Sequence, residues 1–354
     1  MREESFEFLK AIVEVPSPSG FEQPAQRVVR ERMRPIADDI RTDVHGNVIA
    51  ALQPEGHPRI MLAGHCDQIG MMVRYITDEG YIHFASIGGI DASVLPGARL
   101  TVHTAKGPVT GVVGRKAVHL MSPEERGKGK IQIKDLWLDI GARNRKAAER
   151  QVSVGDPMTF ALGMEVLQKD VVASPGFDDK IGSFVVMETL RLLKRRKFSG
   201  AVFAVSTVQE ELGLRGARTS CFGLDPQVGI AVDVTHASDY PGADKKVSGD
   251  LSLGKGPVVE VGPNINPMVG KLLLDTAKAK KIPHQICGAP GATGTDANAM
   301  QISRAGVAAG LVSVPNRYMH TPVEIVHLRD LENAAKLLAE VICKIGPDTD
   351  FIPQ

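Results

Sequence analysis

Apolar runs alternate with helical patterns along the chain, and this alternation stops near residue 71 and resumes near residue 163. On either side of this break, short apolar runs such as 59–64 and 201–208 alternate with longer stretches of helical periodicity. Runs that are apolar at nearly every position are typical of strands buried on both faces, and the helices between such strands cover a mostly parallel sheet. The sequence therefore predicts an α/β fold, with a mostly parallel sheet and helices on both faces.

The interval from 71 to 162 has a different pattern. It holds short alternating segments separated by glycines, which are typical of strands in a small all-β barrel, and only 143–150 looks helical. We expect residues 1–70 and 163–354 to form one catalytic domain, interrupted at 71–162 by an inserted barrel-like β domain. The charged run EERGKGK (124–130) inside the insert is expected to be a solvated loop.

The remaining elements follow from periodicity and from Gly and Pro positions. A hairpin turn is expected at 45–47. Helices are predicted at 3–15, 24–34, 181–197, 214–222, 267–281, 296–305 and 330–344, and strands at 59–64, 201–208, 228–234 and 307–314.

Composition excludes several function classes. The chain has 42 Lys and Arg against 41 Asp and Glu, so its total charge favours neither nucleic acid nor an anionic membrane as a partner. Aromatic residues make up 5%, which disfavours a stacking surface for bases or sugars. The four cysteines form no C-x-x-C pair and are expected to be reduced thiols. We find no signal-peptide pattern or membrane-length apolar run, and expect a cytoplasmic protein.

Acidic and imidazole side chains follow the predicted strands, at the edge where open α/β sheets bind ligands. Several acids at one edge repel one another, and burying them without cations is costly. Oxygen and imidazole ligands without thiolates suit divalent Zn, Co or Mn. The candidates are His65 and Asp67 after 59–64, Glu210 and Glu211 after 201–208, Asp233 at the end of 228–234, His320 after 307–314, and Asp178 before the 181–197 helix.

Taken singly, most of these residues have a structural explanation. The pair His65 and Asp67 is a common sequence, adjacent glutamates are usually solvated, Asp178 could cap a helix, and His320 could lie in a turn. Asp233 is different, because a carboxylate that ends an apolar strand needs a partner. The joint occurrence of all of them at strand ends is what favours a metal site. Rival motifs such as H-E-x-x-H, G-x-S-x-G and Walker A are absent, and the glycine-rich 288–294 is a loop that lines the site or a flexible connection.

Seven segments that contain or flank these residues run along nearly the whole chain: PSPSGFE (16–22), LAGHCDQIG (62–70), SPGFDDKIG (174–182), VQEELGLRGA (208–217), AVDVTHA (231–237), GATGTDA (291–297) and RYMHTPVE (317–324). In these segments and in their order, the chain resembles the tetrahedral (TET) aminopeptidases of metallopeptidase family 42, which include glutamyl and deblocking aminopeptidases. The one departure from that pattern is Lys180, where many members of the family have arginine.

The resemblance implies two divalent metal ions per subunit, with zinc or cobalt as the first expectation and manganese as another. One ion would be held by His65 and Asp233, the second by Glu211 and His320, and Asp178 would bridge them.

The resemblance also implies an activity: removal of N-terminal residues from peptides that have a free N-terminus. Glu210 would be the general base, and Asp67 would orient His65 by accepting its other ring proton. The subunits would form dimers and a dodecamer through the 71–162 insert. The histidines of the insert are expected to be ordinary strand or turn residues, except that an assembled neighbour could present His119 to the active site.

Two alternatives come from other function classes. An endoglucanase-type glycoside hydrolase would need two opposed carboxylates flanking a sugar bond, and the scarcity of aromatics argues against a sugar cleft. A non-enzymatic metal-binding or assembly protein would be favoured by loss of the base, whereas Glu210 is present.

Overall fold

A computed structural model describes residues 1–123 and 130–353. Its centre is an eight-stranded sheet with the strands, numbered along the chain, β1 (Asp39–Thr42), β2 (Val48–Leu52), β3 (Arg59–His65), β12 (Ala201–Thr207), β13 (Val228–His236), β14 (Val258–Val261), β15 (Gln285–Gly288) and β16 (Ala308–Asn316). The spatial order is β1-β2-β12-β3-β13-β16-β14-β15. The hairpin predicted around 45–47 joins β1 to β2 as an antiparallel pair.

The four middle strands, β12, β3, β13 and β16, are mutually parallel. Their register brings Thr207 beside His65, and Asp233 beside Ser313. Because the carboxyl ends of parallel strands lie at one edge of the sheet, the residues that follow β12 and β3 and those near the end of β13 converge there. This convergence positions the candidate site.

Both faces of the sheet are buried, as the apolar runs predict. On β3, Ile60 and Leu62 belong to one hydrophobic cluster, and Met61 and Ala63 belong to another on the opposite face. The helices supply these clusters: α1 (Glu3–Glu14), α2 (Gln23–Met33), α4 (Phe177–Leu193), α5 (Arg215–Leu224), α7 (Pro267–Ala279), α8 (Asp296–Gln301) and α9 (Leu328–Ile342), with the shorter α3 (Arg145–Glu149) and α6 (Lys245–Ser248) outside them. Among the described residues, no helix is long and apolar enough to span a membrane.

The segment after β3 forms a closed barrel, in the order β4-β5-β8-β7-β6-β9. Its own core contains Met71, Val73, Leu100 and Leu138, all buried. The strands are β4 (Gly70–Ile76), β5 (Ile82–Ile87), β6 (Arg99–Thr104), β7 (Gly107–Arg115), β8 (Leu136–Asp139) and β9 (Pro157–Phe160).

The predicted α/β class with a barrel-like insertion is confirmed. One further sheet was not predicted: β10 (Glu165–Gln168), β11 (Val171–Ser174) and β17 (Glu324–His327) pair antiparallel. These strands have four residues each and β10 is exposed throughout, so they carry little hydrophobic pattern. Outside the four middle strands, the pairs β1–β2, β2–β12 and β14–β16 are antiparallel, whereas the edge pair β14–β15 is parallel. The solvated loop expected at 124–130 lies, except for residue 130, outside the described residues.

Candidate metal centre

His65 is the last residue of β3 and is buried at the carboxyl edge of the sheet. Its Nε2 lies 3.2 Å from Oδ1 of Asp178, which lies in a non-helical turn at the start of α4. The other carboxylate oxygen of Asp178 lies 3.1 Å from Nε2 of His320. Asp178 therefore sits between two imidazoles that are 255 positions apart in the sequence (His65 and His320).

Two overlapping sets of side chains can each offer ligand atoms within 4.8 Å of one another. Asp178 belongs to both sets. The first set is His65, Asp178 and Asp233, and the second is Asp178, Glu211 and His320.

The donor set fits divalent metal ions. Oε1 of Glu211 is buried, lies 3.5 Å from Nε2 of His320, and has no hydrogen-bond partner among the described residues. Within that same part of the chain, the ion pairs of Asp178 and Glu211 are with histidines and not with lysine or arginine. Three carboxylates and two imidazoles, all offering oxygen or nitrogen, match the ligands that Zn²⁺ and similar cations take at catalytic sites.

The protonation equilibria reflect this concentration of acids. Burial raises the pKa of Glu211 to about 7, and the neighbouring charge of Asp178 adds to the effect. Burial also raises the pKa of Asp233. For Asp178, hydrogen bonds from His320 and His65 outweigh burial and lower the pKa. The hydrogen bond to Asp178 raises the pKa of His320 to about 9. Burial thus disfavours the ionised forms of Glu211 and Asp233, and a bound cation would stabilise those ionised forms.

Glu210 follows β12 and lies beside both sets. Its Oε2 is 3.7 Å from Nε2 of His65, and the residue is buried. Burial raises the pKa of its carboxyl group to about 10, against the opposing charge of His65. A carboxylate with raised proton affinity next to a candidate metal centre is suited to general base chemistry.

Asp67 is fully buried and its carboxylate accepts three hydrogen bonds. The hydroxyl of Ser19 donates at 2.7 Å, and the backbone N–H groups of Glu210 and Glu211 donate at 3.0 and 3.2 Å. Asp67 thus fixes the main chain that carries the two glutamates.

Sequence reasoning gave no role to three buried carboxylates near this centre, although all three lie in segments that carry the family resemblance. Oε1 of Glu22 accepts the N–H groups of Gly20 and Gln209 at 2.7 and 3.2 Å. Asp296 accepts the hydroxyl proton of Thr207 at 2.6 Å. Glu324 accepts two backbone N–H groups that belong to Asp178 and His320.

Lys180 is fully buried two residues after Asp178. Its Nζ donates to the carbonyl oxygens of Val13 and Val15 at 3.1 and 2.6 Å, and to Oε1 of Gln68 at 2.5 Å. Burial lowers the pKa of this amine to about 7. The lysine therefore connects the turn that carries Asp178 to two other segments: the end of α1 and the residues that lead into the barrel.

A cavity of about 240 Å³ opens beside the candidate metal ligands. Thr293 and Gly294 of the glycine-rich segment line this cavity. His119 lies instead in an exposed turn of the barrel segment, and it does not line this cavity within the described chain. The other lining residues, apart from the candidate ligands and Glu210, are Val234, Thr235, His236, Thr295 and Met319.

Comparison with known proteins gives consistent similarities. A family model described as M42 glutamyl aminopeptidase matches residues 46–337. The lysyl aminopeptidase of Pyrococcus furiosus is 39% identical over 350 residues, which cover 98% of this chain and 99% of that protein. A TET aminopeptidase from a marine sediment thaumarchaeon has a TM-score of 0.93 at 35% identity, covering 98% of both chains. The TET1 peptidase of Pyrococcus horikoshii, described as assembling into a tetrahedron or a large octahedral shell, has a TM-score of 0.86 at 33% identity, covering 96% of this chain and all of that one.

Some similar structures are described as endoglucanases. A protein of Thermotoga maritima called an endoglucanase has a TM-score of 0.76 at 27% identity, covering 94% of this chain and 96% of that one. Proteins described as aminopeptidases and as endoglucanases thus share this fold, so the fold alone does not determine the function.

Proposed function

Because the chain belongs to the M42 glutamyl aminopeptidase family and is a peptide hydrolase, we propose that the centre around Asp178 is its active site and holds two divalent metal ions. His65 and Asp233 would hold one ion, Glu211 and His320 the other, and Asp178 would bridge them. The observation that carries this proposal is the placement of the two Asp178 oxygens, 3.2 Å from His65 Nε2 and 3.1 Å from His320 Nε2.

Two divalent cations, when bound, supply positive charge that polarises the scissile carbonyl and acidifies the attacking water. Glu210 accepts a proton from that water as it adds to the carbonyl carbon, and then gives the proton to the leaving nitrogen. Burial of Glu210 supports this role, because a desolvated carboxylate binds a proton more strongly than an exposed one.

The size and charge of the cavity support an exopeptidase. A space of about 240 Å³ next to the candidate ligands holds one substrate side chain rather than an extended peptide. The free α-ammonium group of a peptide would be attracted to the carboxylates at the same edge. We therefore infer that peptides with a free N-terminus are the substrates.

The oxygen and nitrogen ligands favour zinc or cobalt as the ions of the proposed centre, with manganese as the next choice. Cys66 is adjacent to His65 but its burial strongly raises the thiol pKa, so it stays protonated and does not compete as a thiolate ligand. The four cysteines are free. Free thiols in a chain of this length fit a reducing compartment, and we propose a cytoplasmic location.

For the assembly, we propose dimers that combine into a dodecamer through the 71–162 segment, with the rest of the chain, 1–70 and 163–354, as the catalytic domain. Support comes from apolar side chains that the barrel segment leaves exposed, including Val118, Leu120 and Tyr75. The similar TET1 peptidase is described as assembling into a tetrahedron or a large octahedral shell. An assembled neighbour would be able to present His119 to the active site.

An endoglucanase activity is the second candidate, favoured by the descriptions of similar structures such as the Thermotoga maritima protein. Glycosidases act through two carboxylates across a sugar bond and do not need metal for that chemistry. The carboxylates here are grouped with two histidines, which is not that arrangement.

Removal of divalent ions with a chelator separates the two candidates. An aminopeptidase should lose turnover of aminoacyl-p-nitroanilides and regain it when zinc, cobalt or manganese is added back. Unchanged peptide turnover in the metal-free protein, or metal-independent cleavage of a cello-oligosaccharide, would contradict the proposal.

A further inference from the structure

Glu324 is a fully enclosed carboxylate at the start of β17, with 1% of its surface exposed. In the β11–β17 ladder it pairs with Ser174, the last residue of β11. Four positions after Ser174 comes Asp178, the proposed bridging ligand. Glu324 is therefore held by backbone pairing next to the turn that carries this ligand.

The same residue stands at the base of the loop that carries His320. Arg317 and Ile325 close this loop through two backbone hydrogen bonds of 3.0 Å, each donating to the other. Within the loop, His320 has a φ of 61°, a left-handed conformation that is unfavourable for a histidine. Surrounding contacts must hold such a residue in place.

The two oxygens of Glu324 connect the two segments. Oε2 accepts the N–H of Asp178 at 2.9 Å, and Oε1 accepts the N–H of His320 at 3.0 Å. One rigid carboxylate thus fixes the distance between two backbone sites that are 142 positions apart (178 and 320). Both of these residues direct their side chains at the same place, since their ligand atoms lie 3.1 Å apart.

We propose that Glu324 is a positioning residue, which holds the Asp178 turn and the His320 loop in the one arrangement that presents both side chains to a divalent cation. The inference rests on the proposed metal centre but assigns a residue outside the ligand set. It requires both acceptor oxygens, because each serves a different segment. A glutamine at this position keeps one acceptor and turns a donor toward the second N–H, which leaves that group unpaired in a buried place.

Asp330 provides a matched control. It is fully buried, and its two oxygens accept the backbone N–H groups of Gly254 and Gly256 at 2.7 and 2.8 Å. It has the same chemistry as Glu324, but its partners belong to a segment without proposed ligands. If disturbing any buried carboxylate weakened metal binding, variants of Glu324 and of Asp330 would both show the loss.

The test is titration of metal-free protein with Co²⁺ alone, followed by visible absorption, which reports both affinity and ligand geometry. Glu324→Gln should weaken Co²⁺ binding by about 10–100-fold and alter the absorption spectrum, as disturbed supporting hydrogen bonds do at metal sites. Asp330→Asn should keep the wild-type affinity and spectrum even where its melting temperature falls. If Glu324→Gln does not fold, Glu324→Asp, whose shorter side chain spans only one of the two N–H groups, replaces it with the same expectation.

Wild-type affinity and spectrum in the Glu324 variant would overturn the proposal, and so would an equal loss in Asp330→Asn. Asp178→Ala distinguishes this failure from failure of the metal centre itself. If Asp178→Ala loses Co²⁺ while Glu324→Gln binds as the wild type does, only the positioning role is wrong. If Asp178→Ala still binds two ions tightly, the proposed centre is wrong and the role of Glu324 falls with it.

Discussion

The Nδ1 atom of His65 lies 3.0 Å from the main-chain carbonyl oxygen of Asp67 and 3.4 Å from its carboxylate. The carbonyl oxygen is thus the nearer acceptor for the ring proton. Both acceptors leave Nε2 free to face the proposed metal centre, which is the tautomer that a metal-binding imidazole needs. The carboxylate has a second task, because it also accepts the backbone N–H groups of the glutamate pair.

Because Asp67 contacts His65 and also accepts the N–H groups of the glutamate pair, we can predict the effect of Asp67→Asn. The carbonyl contact to His65 survives, but an amide replaces one acceptor oxygen, so the main chain of Glu210 or Glu211 loses its partner. We expect kcat to fall by about 10–100-fold. Steady-state kinetics together with metal content measure this. Ser19→Ala, which removes only one hydrogen bond to the same carboxylate, is the control and should lower kcat by less than about threefold. Equal effects of the two variants would contradict the special role of Asp67.

The bridging position of Asp178 predicts a different pattern from that of a ligand on one side. Asp178→Ala removes the side chain common to both sets and leaves two cations without a shared anion, so both strong metal sites should be lost. His320→Ala should mainly weaken one site. Metal content per chain after gel filtration gives the answer, and two tightly held ions in Asp178→Ala would exclude the bridge.

The cavity lining predicts a preference against acidic N-terminal residues. Among the described residues that line it, none is a lysine or an arginine. A glutamate side chain would therefore be desolvated with no lysine or arginine in the cavity wall to pair with it, whereas glutamine has nearly the same shape and carries no charge. We expect kcat/KM for glutaminyl-p-nitroanilide to exceed that for glutamyl-p-nitroanilide by about tenfold or more. Thr235→Lys adds a cation to the wall and should narrow this ratio, and a wild-type preference for the glutamyl substrate would show that the pocket is wrongly described.

The exposed apolar residues of the barrel segment predict its role in assembly. Leu120 is 73% exposed, and an aspartate there would have to be buried on association. Leu120→Asp should lower the particle mass measured by light scattering while two metals per chain are retained. Val247 is 83% exposed but lies in α6, outside the barrel, so Val247→Asp is the matched control and should keep the wild-type mass. Full-size particles in Leu120→Asp would argue against this surface.

Residues of this centre that follow a local sequence pattern could be predicted from sequence, whereas residues defined by contacts between distant segments could not. Asp233 was predictable because it ends an apolar run, and the register of parallel strands then placed it near His65. The contacts of Glu324 carry no such pattern, because its hydrogen bonds join segments 146 and 4 positions away through backbone groups. Lys180 likewise reaches carbonyl oxygens at the end of α1, and only the folded chain brings these together.

The secondary structure elements also divide into those that could be predicted from sequence and those that could not. The long buried strands and amphipathic helices were predicted because burial gives them a period. The four-residue strands β10, β11 and β17 were missed, since their pairing with one another defines them more than their composition does. This small sheet supports both Glu324 and the approach to Asp178, so part of what positions the metal centre is set by tertiary pairing.

Glu210→Gln separates the proposed two-metal centre from the proposed carboxylate base. The amide keeps the shape of the side chain but cannot accept a proton from water. We expect the variant to bind two divalent ions per chain with wild-type affinity and to have kcat reduced by about 10²-fold or more. Wild-type turnover in a fully metal-loaded Glu210→Gln protein would contradict the proposed role of Glu210 as the base.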